Sequence, residues 1–490
     1  NLELRVPIRP DMVFRLGSMT KQFTAVGILM LVQERKIALD DDITKFLPGY
    51  PTHGDKITVE NLLTHTSGIK NYTDMPSWLK LWRKDFTVAE LIDLFKNEPM
   101  QFKPGEKWEY SNSGYIVLGA IIEKVSGQSY ADFIRQRIFE PLGMKHSYYG
   151  DYETIIPGRV SGYEVRGDGF VNTAYLSMTQ PYAAGSLLSS VDDLALWDAA
   201  LYTDKLVPQA LLRKAWTPYA LKNGSSTGYG YGWVIWNYKG HRVIEHEGGI
   251  NGFSTAGIRM PDDHVYVAVL SNCPGLMPGP DELAMKLAAL AIGEPETEPV
   301  AIKLPDETLQ RYVGVYRIDA DSTRVVRREG DHLVTQRTGG ARNAAWPLSP
   351  TEFFYKETPA HIHFEVDANG RAVAMVMDRH YGGDERALKI SSELPKEREP
   401  AKVDPVIYDR YVGIYELAPT IRISVTREGT HLFEQVTGQA REEILPSNET
   451  DFFMRAVDVQ LSFVRDPSSG AVTSLVVHQG GQDTLARKVK

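Results

Sequence analysis

The chain has 490 residues, 42% hydrophobic and 24% charged, which is enough to bury cores in two or three domains. A net charge of −9 with no basic cluster excludes nucleic acid as an expected partner. The single Cys273 excludes an intrachain disulfide framework and a cysteine-rich metal site, and no apolar run reaches the ~18 residues of a membrane span.

No secretory leader is visible, and the compartment stays open. Asn1–Pro10 reads as the middle of a strand or loop, so the start reads as truncated. A short apolar run then turns at Gly17, and Ser18 opens a mostly apolar helix to about Gln33. Ser18 and Lys21 are three apart and share a helix face. A serine at a helix N-terminus with lysine one turn away is a candidate nucleophile and base, if burial keeps the lysine neutral. Two other S-x-x-K matches, Ser67–Lys70 and Ser77–Lys80, read as a turn and a helix cap.

Asp40–Asp42 and Thr58 mark further helix starts. His65, in a polar turn, reads as a structural histidine bonded to loop backbone. Residues 74–98 read as two helices, and Ile116–Val125 and 129–139 as two more. Residues 145–185 read as irregular loops with short strands, and Ser190 caps a helix over Val191–Leu201. Four strands are then expected over Tyr229–Tyr238, Arg242–Glu247, Phe253–Met260 and Val265–Ser271, closed by a helix over Glu282–Ile292.

The Pro/Glu-rich residues 293–305 read as a linker. Beyond it the chain is strand-like and repeats itself. Tyr312-Val313-Gly314-Val315-Tyr316 returns as Tyr411-Val412-Gly413-Ile414-Tyr415, Arg328-Glu329-Gly330 as Arg427-Glu428-Gly429, and Glu352-Phe353-Phe354 as Asp451-Phe452-Phe453, each shifted by 99 positions. One shift at three places indicates two copies of one domain. About eight short strands per copy suit a small up-and-down barrel or sandwich. His361-x-His363 shares a strand face, but no third ligand is evident, and no metal site is expected.

Two more stretches bear on Ser18. Tyr110-Ser111-Asn112 precedes an apolar helix, where a loop presents side chains to a cleft. A Tyr hydroxyl beside lysine can relay protons, and the Asn amide can orient Lys21 or a substrate carbonyl. In Glu245-His246-Glu247-Gly248-Gly249, period-2 alternation puts His246 and Gly248 on one face, and the glycines let a substrate lie against the strand.

Together, Ser18-Met19-Thr20-Lys21, Tyr110-Ser111-Asn112 and His246-Glu247-Gly248 resemble the serine β-lactamase and penicillin-binding-protein superfamily, over roughly residues 1–295. Leu63-Thr64-His65-Thr66-Ser67-Gly68, Pro104-Gly105-Glu106 and Ala184-Gly185-Ser186-Leu187 add to the likeness. The resemblance implies an α/β domain with an antiparallel sheet packed against helices and a helical region (residues 1–295). Two lipocalin-like β-barrels follow, at 306–399 and 405–490. It implies Ser18 as acylated nucleophile, Lys21 as its base, Tyr110 as proton shuttle and His246 as a further catalytic residue. Asn112, Gly248 and Gly249 would bind substrate, with the N–H groups of Ser18 and Gly249 as oxyanion hole. No cofactor is expected.

His246 stands where class C β-lactamases have lysine, which resembles D-aminopeptidases and related esterases. Expected substrates are small molecules or short peptides, cleaved at an amide through a Ser18 acyl-enzyme. The alternatives are a carboxylesterase or weak β-lactamase, or a silent peptidoglycan- or peptide-binding protein. A homo-oligomer built through the barrels is compatible with the sequence. Relatives carry a helix and two strands ahead of the S-x-x-K region, which the residues before Ser18 are too few to supply, so an uncovered strand edge is expected.

Overall fold

The computed structural model describes residues 1–166, 169–295, 299–356, 360–378, 384–418, 421–437 and 439–489. It divides into two compact units, the first over residues 1–297 and the second over the residues described from 299 onward. Of the expected linker, residues 296–298 lie outside the described residues.

In the first unit, Gly17–Met19 forms a 3-10 turn that leads into α1 (Thr20–Gln33). The helix is apolar almost all round, so it lies inside the core, buried from Thr20 through Leu31. Phe23 stacks on Trp197 with centroids 4.1 Å apart, a contact adding about 1 kcal/mol beyond area burial. The helix α2 (Asn112–Ser126) crosses the same core and stops at Gly127, whose φ of +71° is open to glycine. It begins four residues earlier than its apolar run, at Asn112 itself.

Thr58 caps Val59–Leu63 with a full capping box, and Ser190 caps α3 (Val191–Ala200), as the sequence indicates. Residues 74–98 give one 3-10 turn, Trp78–Leu81, and one α-helix, Val88–Asp93, in place of two helices. Ser77 heads that turn without a side-chain capping bond.

A four-stranded antiparallel sheet runs in sequence order: β1 (Val234–Tyr238), β2 (His241–Ile250), β3 (Phe253–Met260) and β4 (Val265–Ser271). The helix α4 (Pro280–Ala291) covers one face, burying Val243, Ala256, Ile258 and Met260 with Ala284 and Ala288. β1 starts at Val234 and not at Tyr229, because Gly232 takes φ +81° and breaks the extended run. Among the described residues the outer edge of β4 carries no strand. The two-strand ladders stop short on β2: β1 pairs with it only as far as Glu245, so beyond that residue one edge of β2 carries no strand among the described residues.

In the second unit, two eight-stranded antiparallel barrels close on themselves, Gly314–Arg317 against Glu385–Ser391 and Gly413–Ala418 against Gln482–Lys488. The repeat is kept in packing detail. Tyr312 stacks on Phe364 at 4.2 Å and Tyr411 on Phe463 at 4.3 Å. Tyr316 donates to the Tyr312 carbonyl at 2.8 Å and Tyr415 to that of Tyr411 at 2.7 Å. His361 and His363 both face outward on one strand, beside Glu352. Among the described residues no three His, Cys, Asp or Glu side chains converge as metal ligands, and no helix is long and apolar enough to cross a membrane.

Candidate active site

The turn that carries Ser18 is seated by glycines. Gly17 has φ +55°, and a Cβ there would fall 3.0 Å from the Gly249 nitrogen, so only glycine lets this turn reach the strand. A Cβ on Gly248 would meet the Leu16 carbonyl oxygen at 1.9 Å. The Thr255 hydroxyl fixes that same oxygen at 2.8 Å. The bare Gly248 therefore makes room for the nucleophile's own segment, a closer constraint than the substrate clearance read from sequence. Gly249 is exposed, with open space where a Cβ would stand.

Lys21 is buried from solvent one helical turn after Ser18. Its Nζ lies 3.0 Å from Ser18 Oγ, and it donates to Asn112 Oδ1 at 2.8 Å and to the Ala184 carbonyl at 2.9 Å. Burial holds its pKa well below the usual lysine value. Both carbonyl partners can only accept. A neutral amine held by them commits its two hydrogens and leaves its lone pair toward the Ser18 hydroxyl. The remaining face of Nζ lies 4.7 Å from the Tyr110 ring centroid and 5.5 Å from that of Tyr115.

Tyr110 is half-buried, and its hydroxyl pKa is pushed up by burial, with hydrogen bonding to Ser18 acting the other way. Asn112 sends Oδ1 to Lys21 and Nδ2 to Thr73 Oγ1 at 3.2 Å, so its amide orients the lysine. The segment is held from below by the loop around His65. His65 Nδ1 accepts from the Ser111 N–H at 3.1 Å, and the His65 carbonyl accepts from the Glu109 N–H at 3.0 Å. The His65 ring packs on Tyr110 with centroids 4.2 Å apart.

His246 faces the same cleft from β2, its ring 6.2 Å from that of Tyr110. Its Nδ1 lies 2.6 Å from the Glu247 carbonyl and its Nε2 2.9 Å from the Tyr229 hydroxyl. Burial first, and then Lys21, push its pKa down to about 3. The structure thus brings Ser18, Lys21, Tyr110, Asn112, His246, Gly248 and Gly249 to one place. Three groups there were not singled out from sequence: Tyr229, the Ala184 carbonyl and Thr73. Ala184 fell within a stretch of family likeness, but Tyr229 gave no signal beyond an aromatic before a glycine.

This fold and this constellation are those of the β-lactamase-fold hydrolases, and the chain belongs to the Beta-lactamase family, whose model matches residues 1–292. A domain of unknown function (DUF3471) matches residues 298–389 and 397–487. The chain is 28% identical to penicillin-binding protein 4* of Bacillus subtilis, over 99% of this chain and 89% of that one. Among solved structures, it resembles an octameric penicillin-binding protein homologue from Pyrococcus abyssi at 28% identity and a TM-score of 0.55, covering 79% of this chain and 91% of that one. It also resembles the D-amino acid amidase of Ochrobactrum anthropi SV3 in complex with D-phenylalanine, at 28% identity and a TM-score of 0.50, covering 56% of this chain and 81% of that one.

Proposed function

We propose that this protein is a serine hydrolase that cleaves small peptide amides or esters, with a D-residue on the acyl side, through a Ser18 acyl-enzyme. The observation that carries the reading is the buried Lys21 amine, held by two acceptors and 3.0 Å from Ser18 Oγ. Lys21 takes the Ser18 proton as Oγ attacks the substrate carbonyl. The carbonyl oxygen gathers charge against the N–H groups of Ser18 and Gly249. Tyr110, in reach of Ser18 and Lys21, passes the proton to the leaving group. Water then repeats the sequence on the acyl-enzyme. The likeness to a D-amino acid amidase supports amide substrates and D-stereochemistry.

A neutral His246 favours this over β-lactam hydrolysis, because a lysine at that position supplies a cation for the antibiotic's carboxylate. The test is labelling with a fluorophosphonate followed by mapping of the adduct. A single adduct on Ser18, absent from Ser18→Ala, is expected. Labelling that persists in Ser18→Ala overturns the assignment.

A further inference from the structure

Two arginines, one of them three residues before the nucleophile, have no part in the chemistry above. Arg15 lies three residues before Ser18, on the short strand Phe14–Arg15. Its guanidinium carbon stands 5.7 Å from the ring centres of both Tyr152 and Phe253, and Nη2 donates to the Tyr152 hydroxyl at 2.7 Å. The Tyr152 ring stacks on Tyr175, 4.6 Å away and 26° from parallel. On the Tyr175 ring, again at 5.7 Å, lies the guanidinium of Arg83. Cation, ring, ring and cation follow one another in a column. Arg15 is half-buried, and Tyr152 and Arg83 are exposed. Among the described residues neither guanidinium has an acidic partner. Asp85, the nearest acid along the chain to Arg83, accepts instead from the Ser177 hydroxyl.

The place of this column follows from the β2–β3 hairpin. Phe253, under Arg15, pairs with Ile250, next to Gly249. At the hairpin turn, Asn251 Nδ2 donates to the carbonyl of Ala174, the neighbour of Tyr175, at 3.0 Å. For an extended substrate on the unpaired edge of β2 whose leaving group points toward Tyr110 and His246, the rest of the acyl group lies past Ile250, on the side of Phe253 and the column.

We propose that Arg15 and Arg83 form a carboxylate-recognition rim for the acyl part of the substrate. On the reading of Ser18 as nucleophile, on which this rests, the preferred acyl donor carries a negative charge beyond its reacting carbonyl. A donor ending in a free α-ammonium is disfavoured. The physical basis is twofold. Each guanidinium is held against a tyrosine ring, Arg15 also by its Nη2 bond to the Tyr152 hydroxyl, and keeps its remaining N–H groups for a carboxylate. The same charge repels an ammonium brought to that end of the cleft. Burial keeps His246 and Lys21 neutral, so neither competes with the two arginines for that charge. This narrows the substrate class away from free D-amino acid amides, toward N-blocked or acidic peptides.

The test uses the full chain and three p-nitroanilides, of N-succinyl-D-alanine, N-acetyl-D-alanine and free D-alanine. The kcat/KM for the succinyl substrate is expected to exceed that for the acetyl one by about tenfold, as for charge-assisted bonds at a partly exposed site. Arg15→Gln and Arg83→Gln each bring that ratio toward one, and Arg15→Lys restores part of it. A ratio near one in the unaltered protein, or one unmoved by both glutamine variants, overturns the rim. A second arm needs no turnover. N-succinyl-D-alanine is titrated against Ser18→Ala, alone and with Arg15→Gln and Arg83→Gln added. Weaker binding in the arginine variants supports the rim even where no anilide is cleaved, and unchanged binding overturns it.

Discussion

The Tyr229 hydroxyl donates to Nε2 of His246 at 2.9 Å, because the Nδ1–H of the same ring is committed to the Glu247 carbonyl at 2.6 Å. Burial keeps the ring neutral, and the Glu247 carbonyl then fixes its tautomer. Tyr229→Phe removes the donor and leaves a buried acceptor unsatisfied, which costs about 1–3 kcal/mol. The expected result is a lower urea midpoint with an unchanged slope, and a lower kcat from a less well oriented His246. An unchanged midpoint would show that the Tyr229 hydroxyl does not hold the ring.

Lys21 gives the sharpest catalytic contrast. Lys21→Met fills the same space and removes the base, so kcat is expected to fall by about 10²–10⁴-fold. Stability is expected to fall by about 1–3 kcal/mol, because the apolar side chain fills the space but leaves Asn112 Oδ1 and the Ala184 carbonyl without their donor. Lys21→Arg brings a permanent charge into the same buried place and is expected to lower activity and to lower stability further. Steady-state kinetics beside thermal unfolding separate the two variants. Equal stability of the methionine and arginine forms would count against a neutral Lys21.

Much of this site was legible in the sequence because its parts are short and local. The spacing of Ser18 and Lys21 is one helical turn, and His246-Glu247-Gly248 obeys strand alternation. The barrels were legible from a repeat that the fold keeps down to the Tyr316 and Tyr415 hydroxyl bonds. What the sequence hid depends on chain crossings. No local pattern says that Ala184 offers its carbonyl to Lys21, or that Tyr229 reaches His246. The role of Gly248 was read toward the substrate, whereas its nearest constraint is Leu16, a residue 232 positions away in the chain. The Trp78–Leu81 turn was read as a full helix because its apolar residues repeat with helical spacing, which a 3-10 turn also shows over so short a run.

Glu245, beside His246 but on the opposite face of β2, offers a pH test. Burial, and then Glu247, push its carboxyl up to about 8 from an ordinary 4.5, and Trp236 Nε1 donates to it at 2.8 Å. Its folded-state pKa is raised, so between about 4.5 and 8 the folded chain holds a proton that the unfolded chain has released. The contribution of this group is therefore most favourable below 4.5, declines as pH rises, and levels off above 8. The slope is about 1.4 kcal/mol per pH unit within that window. Glu245→Gln is expected to remove it, so the variant gains on the unaltered protein as pH rises from 5 to 8. Denaturant titrations at several pH values measure the difference, and parallel curves for the two proteins would refute a raised carboxyl.

His65 adopts φ +58°, a backbone region costly for most side chains, while its Nδ1 supports the Ser111 N–H beside Tyr110. Burial, with Lys21 and His246 adding to it, holds its pKa well below the usual histidine value, so it acts as an acceptor and not as a charge. Two substitutions separate backbone strain from the hydrogen bond. Asparagine tolerates the left-handed region and offers an acceptor oxygen where Nδ1 stands. Alanine offers neither. His65→Ala is therefore expected to lose about 2 kcal/mol or more of stability and to depress kcat, because Tyr110 and Asn112 are no longer held in register. His65→Asn is expected to keep most of both. If the two variants behave alike in kcat, the Ser111 contact is not what positions Tyr110, and the ring stacking at 4.2 Å takes over that role.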